Sequence, residues 1–164
     1  MADVASHREF VAKNDLIAEQ DNALVSPDMP LRANLSVLDN IALIPQYRSN
    51  LKYSMAADQA WALLVETGFQ DMYAKRDPAL SYSERFVAKL LRGVISKPAI
   101  LIVDRPAMLL PEVHYPPFLF SMLERMAAYL NDCWIIDYQW NRALYGAQIS
   151  YPEFDYPELP QTQP

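Results

Sequence analysis

The sequence predicts an α/β protein in which a parallel sheet is joined to a block of helices. Three observations carry this expectation. Ile100–Asp104 reads ILIVD, four apolar residues ending in a carboxylate, as buried parallel strands do when they deliver an acid at their C-terminal end. A second apolar run of strand length lies around Cys133–Ile136. Between these and the N-terminal region, apolar positions recur at helical spacing and are punctuated by Pro45, Gly68 and Pro78. With 164 residues, 52% of them hydrophobic, the chain has the length for one domain with a sizeable core.

Taken in order, Arg8–Lys13 and Leu16–Gln20 flank Asn14-Asp15 and fit either a hairpin or a single helix. Ala23–Ser26 reads as a short strand closed by Pro27 and Pro30. Asn34 or Ser36 caps a helix over Val37–Ile44, with Asp39 favoured in its first turn and Pro45 ending it. Ser54 caps the next helix, Met55–Glu66, whose apolar stripe is Ala56, Ala60, Leu63 and Leu64 and whose end is Gly68. A short helix over Gln70–Lys75 stops before Pro78. Ser81 or Ser83 opens a longer helix to about Ser96, and Ser81-x-x-Glu84 has the form of a capping box. After the strand Ile100–Asp104 come a proline-bounded loop to Pro117 and an amphipathic helix over Phe118–Leu130. A strand Trp134–Asp137 and a short helix Trp140–Gly146 complete the pattern. The tail, SYPEFDYPELPQTQP, carries YPE twice and is expected to be extended or disordered, with a docking peptide as the sharper alternative.

Composition excludes several classes of function. A net charge of −6 argues against nucleic acid as the main ligand, because phosphate binding needs clustered Lys and Arg. Lys89, Arg92 and Lys97 are spaced as one solvated helix face. A single cysteine, Cys133, excludes an internal disulfide and a Cys-based zinc site, and its place on a strand suits a small buried hydrophobe. His7 and His114 have no carboxylate or cysteine company resembling a triad or a metal set, so an unrelated enzyme and a metal site are both disfavoured. No apolar run approaches the roughly 20 residues of a membrane span. The N-terminus lacks a basic region followed by an apolar block, so the chain is expected to be cytoplasmic.

Leu80–Pro111 resembles, without a gap, the second half of an ABC-transporter nucleotide-binding domain. In that family a signature L-S-G-G-Q leads into a helix carrying an arginine, then a proline, four apolar residues and D-E-P. Leu80, Ser81, Tyr82, Ser83 and Glu84 lie on the signature, and Arg92, Pro98, Asp104, Pro106 and Leu110 fall on expected places. LSVLDNIAL at Leu35–Leu43 is similar to the segment after the family's glutamine loop, and CWIIDYQW at Cys133–Trp140 to its strand and switch-histidine region. Within the family, the likeness is greatest to ATPases of lipid and organic-solvent-tolerance transport systems. The resemblance implies a partial P-loop-NTPase-like parallel sheet with an α-helical subdomain at about residues 36–95. The family's N-terminal third would be missing or rewritten. The domain would span residues 1–150, with the Pro/Tyr-rich tail at 151–164.

At the positions the resemblance assigns to chemistry, the residues differ from the family in all but Asp104. Tyr82, Ser83 and Glu84 replace the signature's two glycines and glutamine. Arg105 stands where the catalytic glutamate is expected, Pro27 at the glutamine of the glutamine loop, Pro111 at the loop aspartate and Tyr138 at the switch histidine. The three glycines are Gly68, Gly93 and Gly146, and there is no Gly-Lys pair for a phosphate loop. The expectation is therefore a non-hydrolytic protein with no cofactor of its own, a structural or regulatory partner in a transport system. Its contacts would be an ABC permease or ATPase subunit at the helical block, residues 36–73, or a second copy of itself. Membrane association would come only through a partner. The alternative is the signature-bearing half of an asymmetric ATPase heterodimer, which the Tyr82 ring disfavours by filling the space a γ-phosphate needs. The strands Ile100–Val103 and Trp134–Ile136 also need partners along their edges. They could pair with each other, with Phe10–Ile17, or with a strand from a second chain.

Overall fold

A computed structural model describes residues 21–146. Three strands, β1 (Asn22–Val25), β2 (Ile100–Asp104) and β3 (Asp132–Ile136), form one parallel sheet in the order β1-β2-β3. Ile102 of β2 lies between Leu24 and Trp134, so Asp104 is delivered at the C-terminal rim of the central strand. Of the three pairings open for β2 and β3, the direct one is realised. The two strands are hydrogen-bonded neighbours from Ile100–Asp132 to Asp104–Ile136. The segments Arg8–Gln20 and 151–164 lie outside the described residues.

The chain between β1 and β2 is helical: α1 (Val37–Ser49), α2 (Tyr53–Thr67) and α3 (Tyr82–Val94). Ser36 caps α1 by accepting from the Asp39 N–H. The helix does not stop at Pro45 as its sequence suggests but runs four residues further, with Pro45 buried in its interior. Proline removes one helical hydrogen bond, and packing of α1 against α2 holds the helix through it. α2 likewise starts before Ser54, at Tyr53, with Lys52 at the N-cap and no side-chain cap. Its stripe of Ala56, Ala60, Leu63 and Leu64 is buried, and Gly68 closes it in a left-handed conformation (φ 79°). Two 3-10 turns, Gln70–Met72 and Asp77–Ala79, replace the single short helix expected at Gln70–Lys75. Val37 and Leu38 N–H donate to the Lys75 and Tyr73 carbonyls, which ties the start of the block to its end.

α3 carries the face that joins helices to sheet. Phe86, Val87, Leu90, Leu91 and Val94 are buried. At Gly93 a Cβ would come within 3.1 Å of Leu101 Cδ1 and 3.4 Å of Ala23 Cβ, so the missing side chain sets how near α3 lies to the strands. After β2 a one-turn helix, α4 (Pro106–Leu109), and α5 (Tyr115–Arg125) occupy the segment expected as a loop and a later helix. Phe118 of α5 meets Phe69 and Phe86 edge-on, at 6.4 and 6.2 Å between centroids. A final short helix, α6 (Arg142–Tyr145), follows β3.

Candidate functional site

The C-terminal rim of the sheet gathers the polar groups of all three strands. β1 leads into Ser26, Pro27 and Asp28, β2 ends in Asp104 and is followed by Arg105, and β3 runs into Asp137-Tyr138. Asp104 is buried, and its carboxylate is engaged from two sides. Ser26 Oγ donates to Oδ2 at 2.8 Å. Arg105 Nε reaches both oxygens at 3.1 and 3.2 Å, and its Nη2 reaches Oδ2 at 3.0 Å. The same Nη2 donates to Asp28 Oδ2 at 2.6 Å. The Arg105 side chain is 5% exposed, and the residue has a left-handed backbone (φ 46°), uncommon for a residue with a side chain. Its hydrogen bonds to Asp104, opposed by burial and then reinforced by the bond to Asp28, hold the guanidinium protonated beyond its ordinary range. Asp104 and Arg105, neighbours in the chain, are thus paired side chain to side chain, and Asp28 joins them.

Helix α3 anchors the loop that follows β1. Lys89 is buried rather than on a solvated face, and its Nζ donates to the Ser26 carbonyl at 3.0 Å. Burial, then the positive charge of Arg92, pulls its pKa below the ordinary lysine value. Arg92 is also not solvated in the way its spacing suggests, since it donates to the Pro30 and Met29 carbonyls at 2.8 and 3.1 Å. Asn40 of α1 closes the loop, accepting from Arg32 N–H at 2.8 Å and donating to the Arg32, Leu35 and Ser36 carbonyls. Ser26, Asp28 and Asn40 are the residues that sequence reasoning missed. The partners of Ser26 and Asp28 lie across long chain separations, whereas Asn40 reaches back four to eight residues into an irregular loop, and only the place of Ser26 just past a strand end hinted at a role.

The signature positions form a helix start. Ser81 Oγ accepts from the Glu84 N–H (3.2 Å) while Glu84 Oε2 accepts from the Ser81 N–H (2.9 Å), the reciprocal capping box. Glu84 Oε1 takes Lys75 Nζ at 2.6 Å. Burial raises the Glu84 pKa, but the Lys75 and Ser81 hydrogen bonds outweigh it and leave the carboxyl below its usual range. Tyr82 is 42% exposed beneath the Arg85 guanidinium, and Leu80 is buried. These hydrogen bonds stay within the helix start and Lys75, and none reaches the Asp104 cluster.

Around Tyr138 the groups are locked differently. Asp137 accepts from the Tyr115 hydroxyl (3.0 Å), the Tyr145 hydroxyl (2.5 Å), Asn141 Nδ2 (3.0 Å) and the Tyr138 N–H (2.8 Å). Tyr138 stacks on the exposed Trp140 at 4.4 Å and 7°. Burial pushes the Tyr115 hydroxyl up to about 12 and Tyr145 higher still. Pro27 sits in the turn after β1 and Pro111 in the exposed turn after α4. Burial, aided by Asp132, raises the Cys133 thiol to about 12, so it is not a ready nucleophile. Among the described residues, no cluster of three or more His, Cys, Asp or Glu is arranged to hold a metal. Nor is any helix there long and apolar enough to cross a membrane.

A parallel sheet with an acid at its central strand end, a helical block inserted after β1 and a capped helix feeding β2 defines an ABC nucleotide-binding-domain-like protein. Two comparisons support that reading, while no family model matches the chain. The lipoprotein-releasing system ATP-binding protein LolD of Anaplasma marginale is 36% identical over 76 residues, 46% of this chain and 34% of that protein. LolD of Wigglesworthia glossinidia brevipalpis is 32% identical over 76 residues, 46% of this chain and 33% of the relative. The chain thus spans about a third of the length of these curated relatives. Among solved structures, the ATP-binding cassette MJ0796, a dimer in a post-hydrolysis state bound to ADP and Pi, superposes with TM-score 0.60. It covers 79% of this chain and 57% of its own, at 16% identity. The structure of cbiO1 from Clostridium perfringens, part of the ABC transporter complex cbiONQ, gives 0.59 over 77% and 51%, at 17% identity. At such identities the structural likeness speaks to the fold.

Proposed function

We propose that this chain is a non-hydrolytic ABC-ATPase-like protein that acts by contact with a partner protein of a transport system. The carrying observation is the Arg105 guanidinium on both oxygens of Asp104. A strand-end carboxylate recruits a cation by offering free oxygens. Here a side-chain cation already takes them, with Ser26 Oγ as a further donor. Arg105 also stands where the resemblance places a glutamate, so the position supplies a positive charge and no base. The sequence given holds no Gly-x-x-x-x-Gly-Lys to cradle phosphates. The heterodimer alternative is disfavoured, because Ser81 and Glu84 satisfy each other and Tyr82 adds bulk at the helix start.

Contact with a partner is proposed at the helical block. Trp61 (43% exposed), Val65 (50%) and Tyr73 (46%) lie open there, with the Trp61 and Tyr73 rings edge-to-face at 5.5 Å. Large exposed aromatic and aliphatic groups of this kind suit a protein interface. The named role of LolD in a lipoprotein-releasing system supports transport as the setting, with this chain held on the cytoplasmic side through its partner. The test is calorimetry of the purified chain with Mg-ATP to millimolar concentration, with phosphate release followed in parallel. The expected outcome is no saturable heat and no release, and none in Arg105→Glu either. Release that vanishes on Asp104→Asn would overturn the proposal.

A further inference from the structure

A cleft of about 220 Å³ opens where the C-terminal ends of α1 and α3 meet the start of α2. It shares no residue with the Asp104 cluster. Arg48 and Lys97 line it, and it has no acidic lining residue in a chain whose net charge is −6. Ser49 and Gln59 add neutral donors, and Ile44, Leu51 and Ile95 give an apolar floor.

Arg48 makes one long hydrogen bond, Nη2 to the Asn22 carbonyl at 3.4 Å, and among the described residues neither Arg48 nor Lys97 forms an ion pair. Lysine and arginine at helix C-termini ordinarily serve the last carbonyls. Here the backbone serves several of them instead: Asn50 and Leu51 N–H bond to Pro45 O, Lys97 N–H to Val94 O, and Ser96 to Gly93 O. Of the three non-glycine residues with positive φ among the described residues, two also lie here, Lys97 (49°) in the lining and Asn50 (51°) between two lining residues. Such conformations are uncommon for residues with a side chain and tend to gather where a site is being shaped.

We infer that this cleft binds a small organic anion of the phosphate-monoester class. A phosphate monoester carries about −1.5 to −2 charges at pH 7, which one guanidinium and one ammonium match. Arginine supplies a planar fork for two oxygens and lysine a point charge. Ser49 and Gln59 can donate to a third oxygen, and the apolar floor takes a short organic body. The volume, below the roughly 300–1,000 Å³ of drug-sized sites, limits that body to about one ring.

The full chain is titrated with phenyl phosphate, inorganic phosphate and phenol by NMR chemical-shift mapping and calorimetry. Phenyl phosphate should saturate with a Kd on the order of 0.1–1 mM, with shifts centred on Ser49, Gln59 and Ser96. Arg48→Gln and Lys97→Gly should each weaken it about tenfold. Lys97→Gly also relieves a positive φ, so its Tm should hold or rise, which separates lost binding from lost folding. No saturation up to about 10 mM, or unchanged affinity in both variants, would overturn the inference. Phenol binding equally well would refute its anionic part, and equal binding of inorganic phosphate its organic part.

Discussion

Replacing Arg105 by glycine removes the guanidinium from Asp104 and leaves a buried carboxylate with Ser26 as its remaining donor among these contacts. Removing one partner of a buried ion pair costs about 3–5 kcal/mol, most of it the penalty of the charge left behind. The Asp28 contact adds little, because that side chain is 47% exposed and the attraction is screened. Against the loss stands the left-handed backbone at Arg105 (φ 46°), which glycine adopts freely and an L-residue at about 1–2 kcal/mol. The net expectation is a loss of about 1–4 kcal/mol for Arg105→Gly and about 3–5 for Arg105→Ala. Asp104→Asn should recover much of it in the Arg105→Gly background, because the stranded charge is then gone. Urea unfolding of wild type, both single variants and the double variant closes the cycle. A coupling below about 0.5 kcal/mol would refute the pairing as an energetic unit.

Three further outcomes follow from the same geometry. Ser81→Ala should cost about 1 kcal/mol by breaking the capping box, read as a lower urea midpoint without a change in slope. Tyr115 and Tyr145 have folded pKa values raised above the unfolded value near 10, chiefly by burial, so their contribution is complete below pH 10. Stability should therefore fall as pH rises from about 10 towards 12, and Tyr115→Phe with Tyr145→Phe should flatten that decline in pH-dependent denaturation. Lys89 acts with the opposite sign. Its folded pKa is lowered, so its charged form penalises folding and the penalty fades as pH climbs towards its unfolded value. Lys89→Met should remove that alkaline gain and leave stability at neutral pH equal or higher, while a drop of more than about 2 kcal/mol would contradict it.

The sequence made legible whatever is local. ILIVD was readable as a strand because four consecutive apolar residues closed by an acid leave little choice, and the structure starts and ends it where expected. The Ser81–Glu84 box was readable because its two hydrogen bonds join residues three apart. Pro45 misled because a local rule ends a helix there, whereas packing against α2 carries α1 through. Lys89 misled for a related reason. Its spacing with Arg92 suits a solvated face, but its acceptor is a carbonyl 63 residues away. The site divides in the same way. Asp104 could be seen as a strand-end acid and Arg105 as its neighbour, while Ser26 and Asp28 enter through chain separations of 78 and 77 residues that no spacing reveals.

The outer side of β3 has a consequence for how this sheet ends. Ile136 O accepts from the Arg105 N–H, so Ile136, Trp134 and Asp132 turn their peptide groups towards β2, and Cys133 and Ile135 turn theirs away. The outward Cys133 N–H does not wait for a further strand, because Asp132 Oδ1 accepts it at 2.8 Å while Oδ2 takes the Trp134 indole N–H at 2.8 Å. One carboxylate thus occupies a rung of the ladder and places a negative charge beside the next, a combination that discourages an incoming peptide. Among the described residues, the sheet is terminated by a side chain rather than by a neighbour. Lateral growth into fibrils or strand-swapped assemblies would first have to evict that carboxylate.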